Sequence, residues 1–218
     1  MELSVATIRD RISNISQQIE SWSRSSVDLV VVTKTHSSEV VRNVAAAGAR
    51  VIGENYAQEV REKAAAIDDI RSSGVDVQFI GQLQTNKVRL LAGLVDCISS
   101  VDRASLVDEI AKRMPNTRLH LQVNTTGEAN KGGCLPEALP QLIERSIERG
   151  LVVEGLMTVG PTSGDEQTTR EAFRQVKELA SAFGLAVRNY GMSGDLRIAV
   201  EEGSTMVRIG SAILGARN

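Results

Sequence analysis

Residues 29–60, "LVVVTKTHSSEVVRNVAAAGARVIGENYAQEV", decide how the chain is read. The valine run after Leu29 lacks polar alternation, which predicts a strand over 29–33 buried on both faces. In "SSEVVRNVAAAG" the valines fall at helical spacing, Ser37 or Ser38 is placed to cap the start, and Gly48 to stop it. "RVIG" then reads as a second short strand, and "AQEVREKAAAIDDIRS" (57–72) as a second helix. Strand, helix, strand with no hairpin turn between them predicts parallel strands.

Working outward, residues 4–22 place Val5, Ile8, Ile12, Ile15 and Ile19 on one helical face. Trp22, the only tryptophan, follows that stripe and is assigned to the core. Downstream the alternation continues. "VQFIG", "DCISS", "RLHLQVN", "VVEGLMTV", "LAVRNYGM" and "TMVRIG" read as strands. "TNKVRLLAGL" (85–94), "RASLVDEIAKRM", "EALPQLIERSIERG", "DEQTTREAFRQVKELASAFG", "DLRIAVEEG" and the start "SAILGA" read as helices. About eight strands alternating with helices predict a single-domain (β/α)8 TIM barrel over 1–218, with a doubly wound open sheet as the runner-up. No internal repeat or low-complexity tract interrupts the pattern, and "PTSG" (161–164) reads as a surface loop.

Composition narrows the function. Hydrophobic residues are 42% and charged residues 24%, an ordinary globular balance. Aromatics are only 3%, so an aliphatic core is expected. A net charge of −2 without a basic run argues against nucleic acid. No apolar stretch nears the roughly 20 residues that span a bilayer, and the amphipathic N-terminus lacks a signal-peptide core, so a cytoplasmic protein is expected. Cys97 and Cys134 read as reduced thiols. With His36 and His120 as the only histidines and no Cys/His cluster in the sequence, no metal site is expected.

The unusual residues collect after the strands, at the end of a β/α barrel that carries function. There lie "TKTH", "GENYAQE", "GQLQTNK", "SVD", "NTTGEANKGG", "MTVGP", "GMSGD" and "GSAILGAR". Lys34 ends the first strand among aliphatic neighbours. A partly desolvated amine has its pKa lowered and suits Schiff-base chemistry with an aldehyde; the plain alternative is a lysine that snorkels to solvent. "GMSGD" (191–195) and "RIGSA" (208–212) are small-residue turns leading into short helices, as phosphate loops after strands seven and eight do. No nucleotide-binding glycine pattern is present. An amine for an aldehyde and a cradle for a phosphate suggest pyridoxal 5′-phosphate (PLP). A class I aldolase acting on sugar phosphates fits the same residues.

"VVVTKTH", "GENYAQE", "FIGQLQTNK", "SVD", "QVNTTGEANKGG", "GLMTV", "GMSGD" and "GSTMVRIGSAILGAR" occur in that order from about residue 27 onward. Together they closely resemble the pyridoxal phosphate homeostasis proteins, the YggS/PROSC group. The resemblance implies a barrel like the N-terminal domain of alanine racemase (PLP fold type III) with bound PLP. It implies Lys34 as the Schiff-base lysine, Ser193 and Gly194 as one phosphate turn, and Gly210 and Ser211 as the second. Arg208 is implied at the pyridine nitrogen, Asn55 along the cofactor pocket, and Lys131 near its mouth. The sequence departs from the common family pattern at Val77, Gln78, Asn130, Asn189 and Tyr190.

An arginine at the pyridine nitrogen weakens the ring as an electron sink. Racemisation also needs a second acid/base, which alanine racemases take as a tyrosine from a C-terminal domain that is not expected after Asn218. Neither Tyr56 nor Tyr190 is placed as that base. The expected role is therefore a PLP carrier in vitamin B6 homeostasis rather than an enzyme, with a minor PLP-dependent amino-acid racemase as the alternative. A monomer is expected, with apo PLP-dependent enzymes as candidate partners, met through the acidic surface and the polar loop 124–134. His36 is expected on the same side as Lys34 if the strand continues, in a packing or hydrogen-bonding role. Glu54 and Asp195 read as helix caps rather than acids.

Overall fold

The computed structural model describes residues 3–23 and 25–215. Ala216, at the tip of the expected last helical turn, and Arg217, the last residue of the final motif, lie outside the described residues.

Helix α1 (Val5–Trp22) starts at Ser4, whose hydroxyl accepts from Thr7 N–H at 3.2 Å, and buries Ile8, Ile15 and Ile19. Trp22 is half-buried against the same core. Then β1 (Asp28–Val32), α2 (Ser38–Ala46) and β2 (Val51–Glu54) follow the deciding stretch closely. The capping hydroxyl is that of Ser37, which accepts from Val40 N–H at 3.3 Å. The long helix expected over 57–72 is two helices, α3 (Ala57–Glu62) and α4 (Ala64–Ser72). Between them Lys63 leaves the helical path (φ −90°, ψ 8°) and turns its side chain inward. No proline or glycine marks the break; the buried partners of Lys63 make it.

Strand β3 (Asp76–Phe79) is followed by a 3₁₀ segment, Thr85–Leu90, where an α-helix was expected over 85–94. The chain continues through β4 (Cys97–Val101), α5 (Ala104–Arg113), β5 (Arg118–Gln122), a short 3₁₀ turn (Pro136–Ala138) and α6 (Leu139–Glu148). Pro140 lies in the first turn of α6, where a missing N–H costs no intrahelical bond. Then come β6 (Val152–Met157), α7 (Glu166–Ala182), β7 (Val187–Asn189), α8 (Leu196–Glu201), β8 (Met206–Ile209) and α9 (Ser211–Leu214).

The eight parallel strands close into a barrel in sequence order, and β8 pairs with β1. This is the expected TIM barrel; the open doubly wound sheet is excluded. Side chains alternate between two layers. Val31, Ile52, Val77, Phe79, Ile98, Leu119, Leu121, Val207 and Ile209 face the helices in one large aliphatic core. The lumen differs from the expected aliphatic core. Val30, Val51 and Met206 fill one side, but Gln78, Ser99, His120, Asn189 and Arg208 are buried polar residues. The register places Arg208 beside Val30, and Asn189 beside Met206.

Candidate functional site

Lys34 lies two residues past the end of β1, half-buried, at the rim where the strands deliver their C-terminal ends. The chain turns sharply there. Thr35 has a positive φ of 65°, and His36 N–H returns to Thr33 O at 3.2 Å. The strand therefore does not continue, and the alternation that put His36 on the side of Lys34 does not hold. Asn55 follows β2. Its side-chain Oδ1 is buried and has no hydrogen-bond partner. Gly81 makes room for it: a Cβ at that position would lie 2.0 Å from the Asn55 backbone oxygen. A cleft of about 600 Å³ lined by Asn55, Tyr56, Gln84, Lys87 and Arg103 opens beside it.

Across the closure, Gly191 (φ 107°) turns the chain out of β7, and Ser193 and Gly194 are exposed ahead of α8. Gly210 and Ser211 leave β8. A Cβ on Gly210 would touch Val32, 3.4 Å from its backbone oxygen, so this turn lies close against the end of β1. Because β8 neighbours β1, Lys34 stands between these two turns and Asn55. The barrel thus gathers Lys34, Asn55, Ser193, Gly194, Gly210 and Ser211 at one mouth.

Arg208 lies deeper. Its guanidinium donates to Asn189 O at 2.8 Å, to Asn189 Oδ1, and to Thr158 O at 3.0 Å. Burial pushes its pKa down to about 10, with Asp195 opposing, so it stays a cation near neutrality. A guanidinium has donors only, so Asn189 gives it the side-chain oxygen and turns the amide nitrogen to His120 Nδ1, 3.1 Å away. Nδ1 accepts, and the proton of the neutral imidazole sits on Nε2. Burial first, then the cations Arg118 and Arg208, push the His120 pKa down to about 3. Ser99 Oγ lies 3.0 Å from the same Nδ1 and 3.2 Å from Gln78 Oε1, and its one hydrogen can serve either acceptor. Gln78 and Asn189 thus sit in one hydrogen-bonded column beneath the mouth.

Glu154 enters the lumen at a bulge in the β5–β6 pairing, where the register shifts between Leu119 and His120. Sulfur, imidazole and carboxylate atoms of Cys97, His120 and Glu154 come within 4.8 Å of one another. Sequence spacing did not announce this cluster. It is poorly set for a divalent ion. The Arg118 guanidinium lies 3.5 Å from Glu154 and already holds a positive charge beside the one carboxylate of the cluster.

Two expected helix caps have other duties. Glu54 is buried, pairs with Lys63 at 2.9 Å and accepts from Thr33 Oγ1 at 2.7 Å. Burial raises its pKa against the pull of Lys63. Asp195 stands at the start of α8, but its carboxylate accepts backward from Met192 N–H at 2.6 Å. The loop 124–134 is pinned rather than loosely solvated. Lys131 donates to Gly160 O and pairs with Glu128 at 2.9 Å, and Glu128 accepts from Thr162 N–H at 3.0 Å.

The family model of the alanine racemase N-terminal domain matches residues 3–218. A pyridoxal phosphate homeostasis protein of Pseudomonas aeruginosa is 35% identical over 227 residues, covering 98% of this chain and 97% of its own. One from Aquifex aeolicus is 40% identical, covering 87% and 86%. The chain belongs to the pyridoxal phosphate homeostasis protein family. PipY of Synechococcus elongatus PCC7942, solved with PLP bound, superposes with a TM-score of 0.79 at 29% identity, covering 95% of this chain and 100% of that one.

The mouth of this homeostasis-family barrel fits such a group. It offers an amine just past a strand end, a buried Asn55 oxygen without a partner, and two small-residue turns, one of which has nothing within 4 Å of a Cβ position on Gly194. Sequence reasoning gave no role to Lys63 or His120, nor to Glu59 and Thr158 inside the quoted stretches "GENYAQE" and "GLMTV". Only the Glu59–Lys63 spacing, one helical turn, was visible beforehand.

Proposed function

We propose that the chain is one PLP-binding domain that holds the cofactor as a Schiff base on Lys34 and buffers or supplies it to apo-enzymes. The observation that carries this reading is the closure of β8 onto β1. It sets Lys34 between the turns Ser193–Gly194 and Gly210–Ser211 on one side and Asn55 on the other. When bound, PLP supplies an aldehyde for an amine and an electron-withdrawing ring. The chain's own residues take complementary parts. Lys34 offers the amine, the two turns offer backbone N–H groups and hydroxyls to the phosphate, and Asn55 lines the pocket.

Arg208 is assigned to the pyridine nitrogen. Held by Asn189 and Thr158, it remains cationic and disfavours a proton on a facing ring nitrogen. That leaves a poor electron sink, as suits a carrier. A racemase would also need a second acid/base. Tyr190 is fully buried, stacks on Phe173 and donates to Glu202 O at 3.1 Å, so it does not serve.

The test is a visible spectrum of the purified protein, then borohydride reduction and peptide mapping, with K34A as the control. A visible band and a reduced adduct on Lys34 are expected, both lost in K34A. A colourless protein that stays unlabelled after added PLP would overturn the reading and bring the sugar-phosphate enzyme forward. Exchange of the alanine α-proton in deuterated water, expected to be absent, separates carrier from racemase.

A further inference from the structure

The backbone on both sides of Lys34 is held from outside the mouth. Thr35 and Asn116 are the non-glycine residues with positive φ among the described residues. Asparagine tolerates that region, whereas a β-branched threonine is a true outlier in it. A carboxylate meets the strained residue: Thr35 N–H donates to Glu59 Oε2 at 2.8 Å. On the other side, Lys63 Nζ donates to Thr33 O at 3.1 Å. The same ammonium joins Glu59 at 3.0 Å and Glu54 at 2.9 Å, and Glu54 also takes the Thr33 hydroxyl. Lys63 is buried and sits at the break between α3 and α4, in a run free of helix breakers.

We propose that Glu59 and Lys63 are positioning residues for Lys34: they clamp Thr33 and Thr35 so that the intervening lysine leaves the rim in a fixed direction. The proposal rests on Lys34 as the carrier amine. A strained conformation persists where its surroundings over-determine it, and here the surroundings are one carboxylate and one ammonium. Strain beside a reacting amine fixes its approach line, and small misplacements of reacting groups slow capture strongly.

The experiment mixes cofactor-stripped full-length protein with PLP and follows growth of the visible band. The borohydride adduct is mapped and thermal melts are run on the same samples. E59A, and E59D with its shorter reach, are expected to slow capture about tenfold, while E59Q, which keeps an acceptor for Thr35 N–H, stays within about twofold. T35G placed in E59A is expected to recover most of the rate, because glycine takes a positive φ unaided. A purely structural role for Glu59 would lower the melting temperature without this pattern of rescue. Wild-type capture rates in E59A and E59D, or no recovery by T35G, overturn the clamp while the carrier reading stands. A wild-type protein that takes no label on Lys34 overturns both.

Discussion

His120 is a buried base with its proton fixed by a neighbour. Arg208 orients Asn189, and Asn189 leaves only Nδ1 of His120 free to accept. With a folded pKa of about 3 against an ordinary 6.5, the native protein refuses a proton that the unfolded chain takes up. Stability therefore falls as pH drops from about 6.5 toward about 3, by up to about 1.4 kcal/mol per pH unit from this group. Urea unfolding of wild type and H120Q across that window isolates the effect. The difference between the two proteins should shrink toward low pH, and a constant difference would count against a buried neutral imidazole. None of this was legible beforehand. Alternation along "RLHLQVN" turns His120 to one face of the strand, but it cannot name the residues opposite.

Between α3 and α4 the structure breaks a helix to bury a lysine. "VREKAAAI" contains good helix formers throughout, so local propensity predicted continuity, and the tertiary partners Glu54 and Thr33 prevailed. K63M leaves Glu54 buried without its cation and should cost about 3–5 kcal/mol. E54Q/K63M should regain most of that loss in urea titrations; K63M as stable as wild type would show that the pair contributes little. A second element-scale test concerns β6 and β7. A Cβ on Gly155 would lie 2.2 Å from Val187 O, so G155A must push the strands apart, at about 1–3 kcal/mol. Elements that read correctly, β1, α2 and β2 among them, have local pattern and packing in agreement. The 3₁₀ segment after β3 did not, since six residues are too few to separate a period of about 3.0 from one of about 3.6.

At the scale of the molecule, barrel closure came from counting strands, and the mouth from the small and polar residues at their C-terminal ends. The polar lumen was not legible, because composition reports how many aliphatic residues exist and not which layer they fill. Closure has a measurable signature in the thiols. Cys97 and Cys134 are both buried, and burial pushes their pKa values up to about 12 and about 11. Neither should react with a disulfide reagent at neutral pH in the native protein, whereas both should react in urea. The reaction rate should track global unfolding. Fast labelling of either cysteine without denaturant would reveal local opening of the barrel.

The pairing of β8 with β1 also orders events in time. Lys34 and Asn55 follow the first two strands of the barrel to be synthesised, and Ser193, Gly194, Gly210 and Ser211 follow the last two. Such contacts between strands far apart in sequence form late and slowly during folding. Until the final strand docks, the early lysine has no companion turns beside it. A nascent or truncated chain therefore has no complete mouth, and a finished mouth certifies a finished barrel.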